Sequence, residues 1–433
     1  MKIKTSLCVV LLTAVHLQIL PVARGAVPGD YVAHEWGTFT SVQAADGQQL
    51  VWNPLNVAEL PKFVHDLAES NGVAPGAASV RFASKSSFAT LQRMETPVIY
   101  FYSEREQKVD VTVKFPQGHV TEWYPRVSPW KPRDGYLGFG PNLIEWKNIQ
   151  ILPRARHEDS LKQLAVEPGG SHYYAARETD ADFLQVTSKD APAATETEKF
   201  LFYRGVGGFL APLTVSQRGN DADVVVLQNA GKEELRHLFV FAVRGDQAKF
   251  VFVPELAAGT NHDVALTPSE KLRPLSEVRA ELAAEMEEAL VSEGLYRAEA
   301  KAMVKTWDDS WFTEQGVRVL YTLPRSWTDR TLPLTLEPKP REVVRVMVGR
   351  AEMITPSMEW AVLKQIVHYS ESDSTARGNI VAETKKLGLG RFLQPATSRL
   401  SAKFYHPEFA QAALDLANLA QKSATTGKVL AAR

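Results

Sequence analysis

The chain contains 433 residues, 45% of them hydrophobic, and its formal net charge at pH 7 is −1. This length is sufficient for two or three domains, each with its own apolar core. Charges of either sign are scattered along the sequence, so we expect neither the basic stripe of a nucleic-acid-binding protein nor a basic helix that lies on a membrane surface.

Residues 1–25 have the pattern of a secretory signal peptide. Lys2 and Lys4 form a basic start, and residues 7–20 are mostly apolar. Small residues precede a predicted cleavage site near Gly25–Ala26, so we expect an exported protein of the periplasm or the exterior. The apolar stretch is shorter than the about 20 residues of a membrane span, so no stable span is expected after cleavage. An uncleaved N-terminal anchor is the alternative.

The predicted mature chain contains no cysteine, because the only cysteine, Cys8, lies in the signal peptide. The mature protein therefore has no disulfide bond, no thiolate metal ligand and no thiol nucleophile. The sequence also has no Asn-x-Ser or Asn-x-Thr acceptor, which is more typical of a bacterial exported protein than of a eukaryotic one.

Residues 26–268 have mostly two-residue periodicity and are predicted to form an antiparallel β-sandwich domain. Residues 109–115 alternate between apolar and polar side chains, which predicts a strand with one buried face. We expect this strand to form a hairpin with the apolar strand at residues 98–102. A glycine-containing turn predicts a second hairpin, between residues 238–243 and 250–253.

Helical periodicity follows the sandwich. Residues 269–312 are predicted to form a helical insertion, residues 313–350 contain strands that could return to the earlier sheet, and residues 351–433 form a C-terminal helical region. Thr355 is a predicted N-cap, since a proline follows it at the first helical position. The predicted fold class is therefore α+β, an antiparallel β-sandwich with inserted and C-terminal helices.

No catalytic or metal-binding motif of fixed spacing is present, such as Gly-x-Ser-x-Gly or a paired-histidine zinc motif. No cofactor is evident, and a metal site assembled from distant segments is left open. Candidate site residues therefore come from local clusters of polar or aromatic side chains.

His34 and Glu35 form the first of these clusters. On a strand the two side chains point to opposite faces, so they cannot act together on one ligand unless the strand bulges. They are candidates for a catalytic acid–base pair next to Trp36. The alternative is a structural strand in which Glu35 pairs with an arginine.

Two further clusters contain titratable side chains. Glu95 lies where a loop meets a predicted buried strand, and is either a catalytic acid or a carboxylate that accepts backbone N–H groups of its own loop. His172, Arg177 and Glu178 lie close together in sequence and offer a base, an anion-binding fork and an acid. Arg204, beside a glycine turn, is a candidate to join them as a ligand-binding residue. The alternative for this cluster is an ion-pair network that joins strand ends.

An aromatic run supplies the candidate ligand-binding residues Trp123, Tyr124, Trp130 and Tyr136. If these rings are exposed, they suit stacking against a glycan or contact with the apolar patch of a partner protein. The alternative is a loop that packs on its own rings beneath the sandwich.

Four strings of this sequence resemble those of an uncharacterised family of exported bacterial proteins. They are His34 to Thr40 (HEWGTFT), Met94 to Pro97 (METP), Ala176 to Asp180 (ARETD) and Tyr203 to Gly207 (YRGVG). The resemblance implies a bacterial, exported setting, and it implies no activity or cofactor.

The leading functional hypothesis is a non-catalytic exported binding or interaction protein, with a glycan or an envelope protein as the partner. The rival is an exported hydrolase in which an acid–base pair acts in a cleft of the β-domain. Its candidates are Glu35, Glu95, Glu122, His172 and Glu178. An envelope scaffold is the third possibility.

Overall fold

The computed structural model describes residues 30–53, 60–66, 89–128, 142–187, 195–219, 224–266 and 272–430, and side chains as far as residue 421. The predicted signal peptide and its cleavage site lie outside these ranges. The described strands are β1 (Tyr31–Ala44), β2 (Gln49–Leu50), β3 (His65–Asp66), β4 (Gln92–Ser103), β5 (Gln107–Lys114), β6 (Gly118–Tyr124), β7 (Leu143–Leu152), β8 (Phe183–Thr187), β9 (Thr195–Glu198), β10 (Leu201–Gly207), β11 (Leu213–Arg218), β12 (Val224–Asn229), β13 (Leu235–Arg244), β14 (Gln247–Leu256), β15 (Asn261–Ala265), β16 (Arg273–Pro274), β17 (Gly316–Leu323), β18 (Leu334–Glu337) and β19 (Glu342–Ile354).

The described α-helices begin after β16, and β17 to β19 lie between them in sequence. They are α1 (Leu275–Ser292), α2 (Arg297–Phe312), α3 (Arg325–Thr331), α4 (Pro356–Glu371), α5 (Ser374–Lys386), α6 (Leu393–Phe404) and α7 (Pro407–Leu430). The predicted start of α4 is confirmed, because the Thr355 hydroxyl accepts a hydrogen bond from the backbone N–H of Met358 and Pro356 is the first helical residue.

A large sheet forms the middle of the molecule. Its strand order is β16-β14-β13-β17-β19-β1-β4-β10-β6-β3, and β2 pairs with β1 at one end. β1 and β19 are parallel, whereas the other paired strands of the described sheets are antiparallel. Since β17 and β19 lie inside this sheet, α1 and α2 form an insertion between strands of one sheet.

Two smaller sheets cover one face of the large sheet. Their strand orders are β18-β5-β7-β8-β9 and β11-β12-β15. The predicted hairpin of β13 and β14 is confirmed, but the predicted hairpin of β4 and β5 is wrong. β4 is a central strand of the large sheet and is buried on both faces, whereas β5 belongs to the facing sheet and has one wet face.

The core has two main layers. Between the sheets lies an apolar cluster that includes Phe39, Trp146 and Val225. On the opposite face of the large sheet, α1 and α2 bury a second cluster that includes Trp36 and Met303. The predicted α+β fold, a β-sandwich with inserted and C-terminal helices, is thus confirmed.

The C-terminal helices form a third apolar cluster against one end of the large sheet. Val42 of β1 and Ile354 of β19 contact this cluster, together with Ile366 of α4 and Leu416 of α7. None of the helices in the described ranges is both long enough and apolar enough to cross a membrane.

Candidate functional site

A cleft lies on the helix-covered face of the large sheet, beside the 3-10 helix His172–Arg177 and residues 60–64. The space that water can occupy inside it is about 30 Å³, and the empty space is about 430 Å³ when the part open to solvent is counted. Its wall is rich in aromatic rings, among them Trp36, Phe63, Tyr124, Tyr173, Tyr174 and Phe202. The cleft is therefore suited to an apolar or aromatic group.

Three of the four strings of the family resemblance contribute residues to this cleft, and the fourth lies on the neighbouring strand β10. β1, β4 and β10 are neighbours in the sheet, and Trp36, Thr96 and Ala176 contribute to the cleft lining. Burial raises the pKa of the Tyr173 phenol, and the charge of Arg204 partly opposes this rise. Arg204 therefore lies close to Tyr173. Segments that are more than 100 residues apart in sequence thus meet in one place.

A network of buried charged side chains extends from the neighbourhood of Tyr173, a residue of the cleft lining, and we call it the inner cluster. Its members are Arg93, Glu95, Glu122, Arg204, Glu314, Arg318, Arg350, Glu352 and Arg391. They come from β4, β6, β10, β17 and β19, from the residues after α2, and from the turn before α6. Sequence analysis proposed Glu95, Glu122 and Arg204 but missed the other six.

Glu95 occupies the centre of the inner cluster. Its carboxylate accepts a hydrogen bond from the Thr40 hydroxyl at 2.7 Å and from Nη1 of Arg391 at 2.6 Å, and Arg93 Nε lies 3.0 Å away. Burial alone raises the pKa of Glu95, but Arg391 and Arg93 more than offset this effect and hold it well below its usual range. The predicted alternative, a carboxylate that accepts backbone N–H groups of its own loop, is wrong, because the hydrogen bonds to Glu95 come from the side chains of Thr40 and Arg391.

Glu122 and Arg204 form a buried bidentate pair in the neighbouring strands β6 and β10. Arg204 Nε and Nη2 donate to the two carboxylate oxygens of Glu122 at 3.0 and 2.8 Å. Both side chains are at most 1% exposed. Burial lowers the pKa of Arg204, but the contact with Glu122 raises it above its usual value, so the guanidinium group remains charged.

The other half of the inner cluster joins β17 and β19 to the end of α2. Arg350 Nη2 contacts Glu352 at 2.8 Å and Glu314 at 2.5 Å, and Arg318 Nε donates to Glu352 at 3.0 Å. Arg318 and Arg350 also donate to backbone carbonyls of α2, at Trp311 and Ser310. These bonds place the end of α2 over the sheet.

His34 and Glu35 lie on opposite faces of β1, as predicted. His34 contacts Glu299 of α2 at 2.8 Å, and Tyr102 donates to the same carboxylate at 2.6 Å. Glu35 faces the sandwich side, where Arg345 Nε and the Tyr203 hydroxyl donate to it. The structural alternative for Glu35, pairing with an arginine, is therefore confirmed.

The residues of the 3-10 helix are divided between the cleft and the surface. Arg177 lines the cleft and donates to Glu198 through Nε and Nη2 at 2.6 to 3.1 Å. Glu178 is exposed and accepts from Lys305 at 2.7 Å. The exposed His172 stacks on Tyr173, with 3.9 Å between ring centroids. The alternative of an ion-pair network is thus confirmed for Arg177 and Glu178.

The hydrolase hypothesis required an acid–base pair in one cleft. The candidate carboxylates instead form ion pairs with arginine or lysine side chains. Glu35 faces away from the cleft, Glu178 is bound to a lysine, and Glu95 and Glu122 are bound to arginines. In the part of the chain that the structure describes, no group of three or more His, Cys, Asp or Glu side chains is arranged to hold a metal ion.

The exposure that the ligand-binding hypothesis required of the aromatic run is not found for two of its four candidates. Trp123 is 1% exposed and packs in the core between the sheets, and Tyr124 is 5% exposed and lines the cleft. They are buried because β6 is covered on both faces. Trp130 and Tyr136 lie outside the described residues.

Exposed aromatic rings occur instead on the C-terminal helices. Trp360 of α4 is 59% exposed, and Phe404 at the end of α6 is 51% exposed. The next residue, Tyr405, is 93% exposed and has a left-handed backbone with φ of 39°. These helices form a groove, which we call the C-terminal groove; it is lined by Trp360, Leu363, Lys364, Val367, His368, Phe404, His406 and Phe409.

Sequence analysis missed the C-terminal groove, although α4 contains a signal for it. Val362, Ile366 and Tyr369 form one apolar stripe, which packs in the C-terminal core. Trp360 and Val367 belong to a second stripe, which lies in the groove. A helix that packs on one side needs only one such stripe, so the second one indicates a further contact surface.

Comparisons with known proteins give no family. No protein-family model matches the sequence, and no curated protein matches it. Among solved structures, the chain is similar to the Fcho1 mu-homology domain of Danio rerio with bound Eps15 peptide, at 7% identity and a TM-score of 0.32, over 76% of this chain and 99% of that chain. The yeast delta-COP-I mu-homology domain complexed with a Dsl1 WxWxV peptide has 8% identity and a TM-score of 0.28, over 76% and 100%. TM-scores this low do not identify a common fold.

Proposed function

We propose that this chain is an exported interaction protein that binds an acidic segment of a partner protein in the C-terminal groove. The observation that carries the proposal is the exposure of Trp360 and Phe404 beside an apolar groove. Soluble proteins rarely expose contiguous apolar surface without a binding partner, and aromatic side chains supply much of the binding energy of interfaces.

The charges in the groove favour an acidic partner. Its lining contains Lys364, His368 and His406 and no carboxylate. Lys364 Nζ lies 5.5 Å from the centroid of the Trp360 ring, so a carboxylate of the partner can pair with an ammonium group that the ring already positions. A peptide with apolar anchors fits this surface better than a glycan, because half of the eight lining side chains, Leu363, Val367, Phe404 and Phe409, have no hydrogen-bonding group and none is a carboxylate or amide.

Export is part of the proposal and rests on the sequence pattern of residues 1–25. The same pattern and the resemblance to exported bacterial proteins favour an envelope protein as the partner. We do not propose the hydrolase, because its candidate acids are bonded to arginine or lysine. Amino-terminal sequencing of protein from the periplasm should give Ala26 as the first residue, whereas full-length protein in the cytosol would contradict export.

A peptide selection tests the binding proposal. A phage-displayed library of random peptides is selected on the mature chain, and the affinity of the enriched peptides is measured by fluorescence anisotropy. We expect enriched sequences to combine Asp or Glu with aromatic or branched apolar residues. Trp360→Ala and Phe404→Ala should each weaken binding at least about tenfold, as expected of an aromatic anchor.

Leu210→Ala is the matched control, because Leu210 is 67% exposed and lies outside the groove lining. Its affinity for the selected peptides should equal that of the wild type. Three results contradict the proposal: peptides that bind both groove variants as tightly as the wild type, glycan-array binding that Trp360→Ala abolishes in place of peptide binding, or self-association in sedimentation that the same substitution abolishes.

A further inference from the structure

We propose that the inner end of the cleft binds the oxyanion head group of a small apolar molecule, through the guanidinium groups of Arg93, Arg204 and Arg391 and the hydroxyls of Thr38 and Thr96. This site is independent of the C-terminal groove and does not depend on the function proposed for that groove.

The inner cluster has an excess of positive charge. It contains five arginines and four glutamates among the described residues. Burial, with a smaller contribution from the nearby charges of Arg204 and Arg391, lowers the pKa of Arg93 to about 10 against the opposing effect of Glu95. A bound anion would neutralise this excess and stabilise the charged form of Arg93.

Several buried hydrogen-bond donors in this region have no partner among the described residues. They are Nη1 of Arg204, Nε and Nη2 of Arg391, and the hydroxyls of Thr38 and Thr96. Thr38, Thr96 and Arg204 are at most 1% exposed. Because buried polar groups in folded proteins are nearly always hydrogen-bonded, a group of donors without acceptors indicates a ligand that supplies acceptors.

The residues that carry these donors are neighbours around Arg93 and Glu95. Thr38 lies opposite Glu95 across β1 and β4, where the register of the two strands shifts, and Thr96 follows Glu95 with a left-handed backbone at φ of 43°. Arg93 and Arg391 both approach the same Glu95 oxygen, at 3.0 and 2.6 Å. Both threonines are therefore backbone neighbours of Glu95, the carboxylate that Arg93 and Arg391 contact.

The aromatic cleft indicates what carries the oxyanion. Thr96 and Tyr173 line the cleft, and Tyr173 also lies within electrostatic reach of Arg93 and Arg204. The Tyr173 ring packs between Phe202 and Trp307, with centroid distances of 6.2 and 6.1 Å. A ligand with an apolar body in the cleft and a carboxylate or phosphate at its inner end uses both surfaces.

Calorimetric titration of the purified chain in a low-salt zwitterionic buffer tests this proposal. The probes are 3-phenylpropionate, 3-phenylpropylamine and inorganic phosphate. We expect 3-phenylpropionate to bind one per chain and to raise the melting temperature, phosphate to bind more weakly, and the amine not to bind. If neither anion binds, the proposed oxyanion site is wrong. If phosphate binds more tightly than 3-phenylpropionate, the proposal that the cleft binds an apolar part of the ligand is wrong.

Two isosteric substitutions locate the site. Thr96→Val and Thr38→Val remove hydroxyls that have no partner among the described residues, so the variants should fold as the wild type does. Each should weaken the binding of 3-phenylpropionate about tenfold, because a hydrogen bond to a charged group is lost. Thr384→Val is the control, since its buried hydroxyl donates within α5 to Ile380. Unchanged affinity in both site variants, or equal loss in the control, overturns the proposal.

Discussion

The inner cluster and the C-terminal groove depart from the usual distribution of side chains in opposite directions. The inner cluster buries charged groups within the protein, where Arg204, Arg318 and Arg350 are at most 1% exposed. The groove exposes large apolar groups, of which Trp360 and Phe404 are more than half exposed. Both arrangements cost free energy unless other contacts compensate for them.

The compensation differs between the two regions. In the inner cluster it comes from within the chain, because each carboxylate is bonded to at least one guanidinium group of another strand or turn. In the groove the described residues do not cover the exposed rings of α4 and α6. The comparison therefore indicates that the inner cluster contributes to the stability of the fold and that the groove is available for a partner.

The largest expected effect comes from breaking the buried pair of Glu122 and Arg204. Glu122→Leu leaves the Arg204 charge buried without its bidentate partner, so the free energy of unfolding should fall by about 3–5 kcal/mol. Urea denaturation measures this change. Arg204→Leu should give a similar loss, because it leaves the Glu122 carboxylate without the same partner.

The double variant Glu122→Leu/Arg204→Leu separates the lost charge pair from the lost packing. Replacing both members of a buried ion pair with apolar residues is often neutral, so the double variant should be more stable than either single variant. Additive losses from the two substitutions would contradict the assignment of this pair as a coupled unit, and the contrast between the two regions would then be weaker than we propose.

Acidification provides a second test of the inner cluster, through Glu95. Its pKa is lower in the folded protein than the value of about 4.3 in an unfolded chain, so it contributes stability that is present above pH 4.3 and is lost as the pH falls toward the folded pKa. One such group gives a slope of up to about 1.4 kcal/mol per pH unit below pH 4.

Glu95→Gln identifies this contribution. At neutral pH the variant should be less stable than the wild type, because Arg391 and Arg93 lose a charged partner. Below pH 4 the free energy of unfolding of the variant should fall less steeply with pH than that of the wild type. The difference in slope should correspond to at most one proton taken up on unfolding. Glu408→Gln, at an exposed position of α7, is the control and should keep the wild-type slope. Equal slopes in wild type and Glu95→Gln would contradict the role given to Glu95.

Local patterns predicted the elements of the fold but not its long-range contacts. Two apolar runs joined by a glycine-containing turn predicted the hairpin of β13 and β14, and the proline after Thr355 predicted the start of α4. The same reasoning wrongly paired β4 with β5, which belong to different sheets. A short polar loop has the same sequence pattern whether the chain turns back within one sheet or crosses to a facing sheet. Periodicity reports which faces are covered and not which element covers them.

The candidate site was predictable only in part, for the same physical reason. The pairing of Glu35 with an arginine was an expected alternative, but the partner, Arg345, is 310 residues away, on a strand brought near by the parallel pairing of β1 and β19. Arg391 likewise reaches Glu95 across 296 residues of sequence. Arg93 and Glu95, two residues apart on an otherwise apolar strand, were a local sign of a buried charged row.

The smallest expected effect on stability belongs to the groove. Trp360→Ala should change the free energy of unfolding by no more than about 0.5 kcal/mol, because the ring is 59% exposed. Trp311→Ala is the matched substitution beside the inner cluster; this ring is fully buried, so its removal should cost about 3–5 kcal/mol.

If urea denaturation gave Trp360→Ala a loss close to that of Trp311→Ala, the Trp360 ring would be needed for folding. The groove would then be part of the C-terminal core, and its exposure could no longer be taken as the mark of a binding surface. A small loss at Trp360 together with lost peptide binding would separate binding from folding at this one residue.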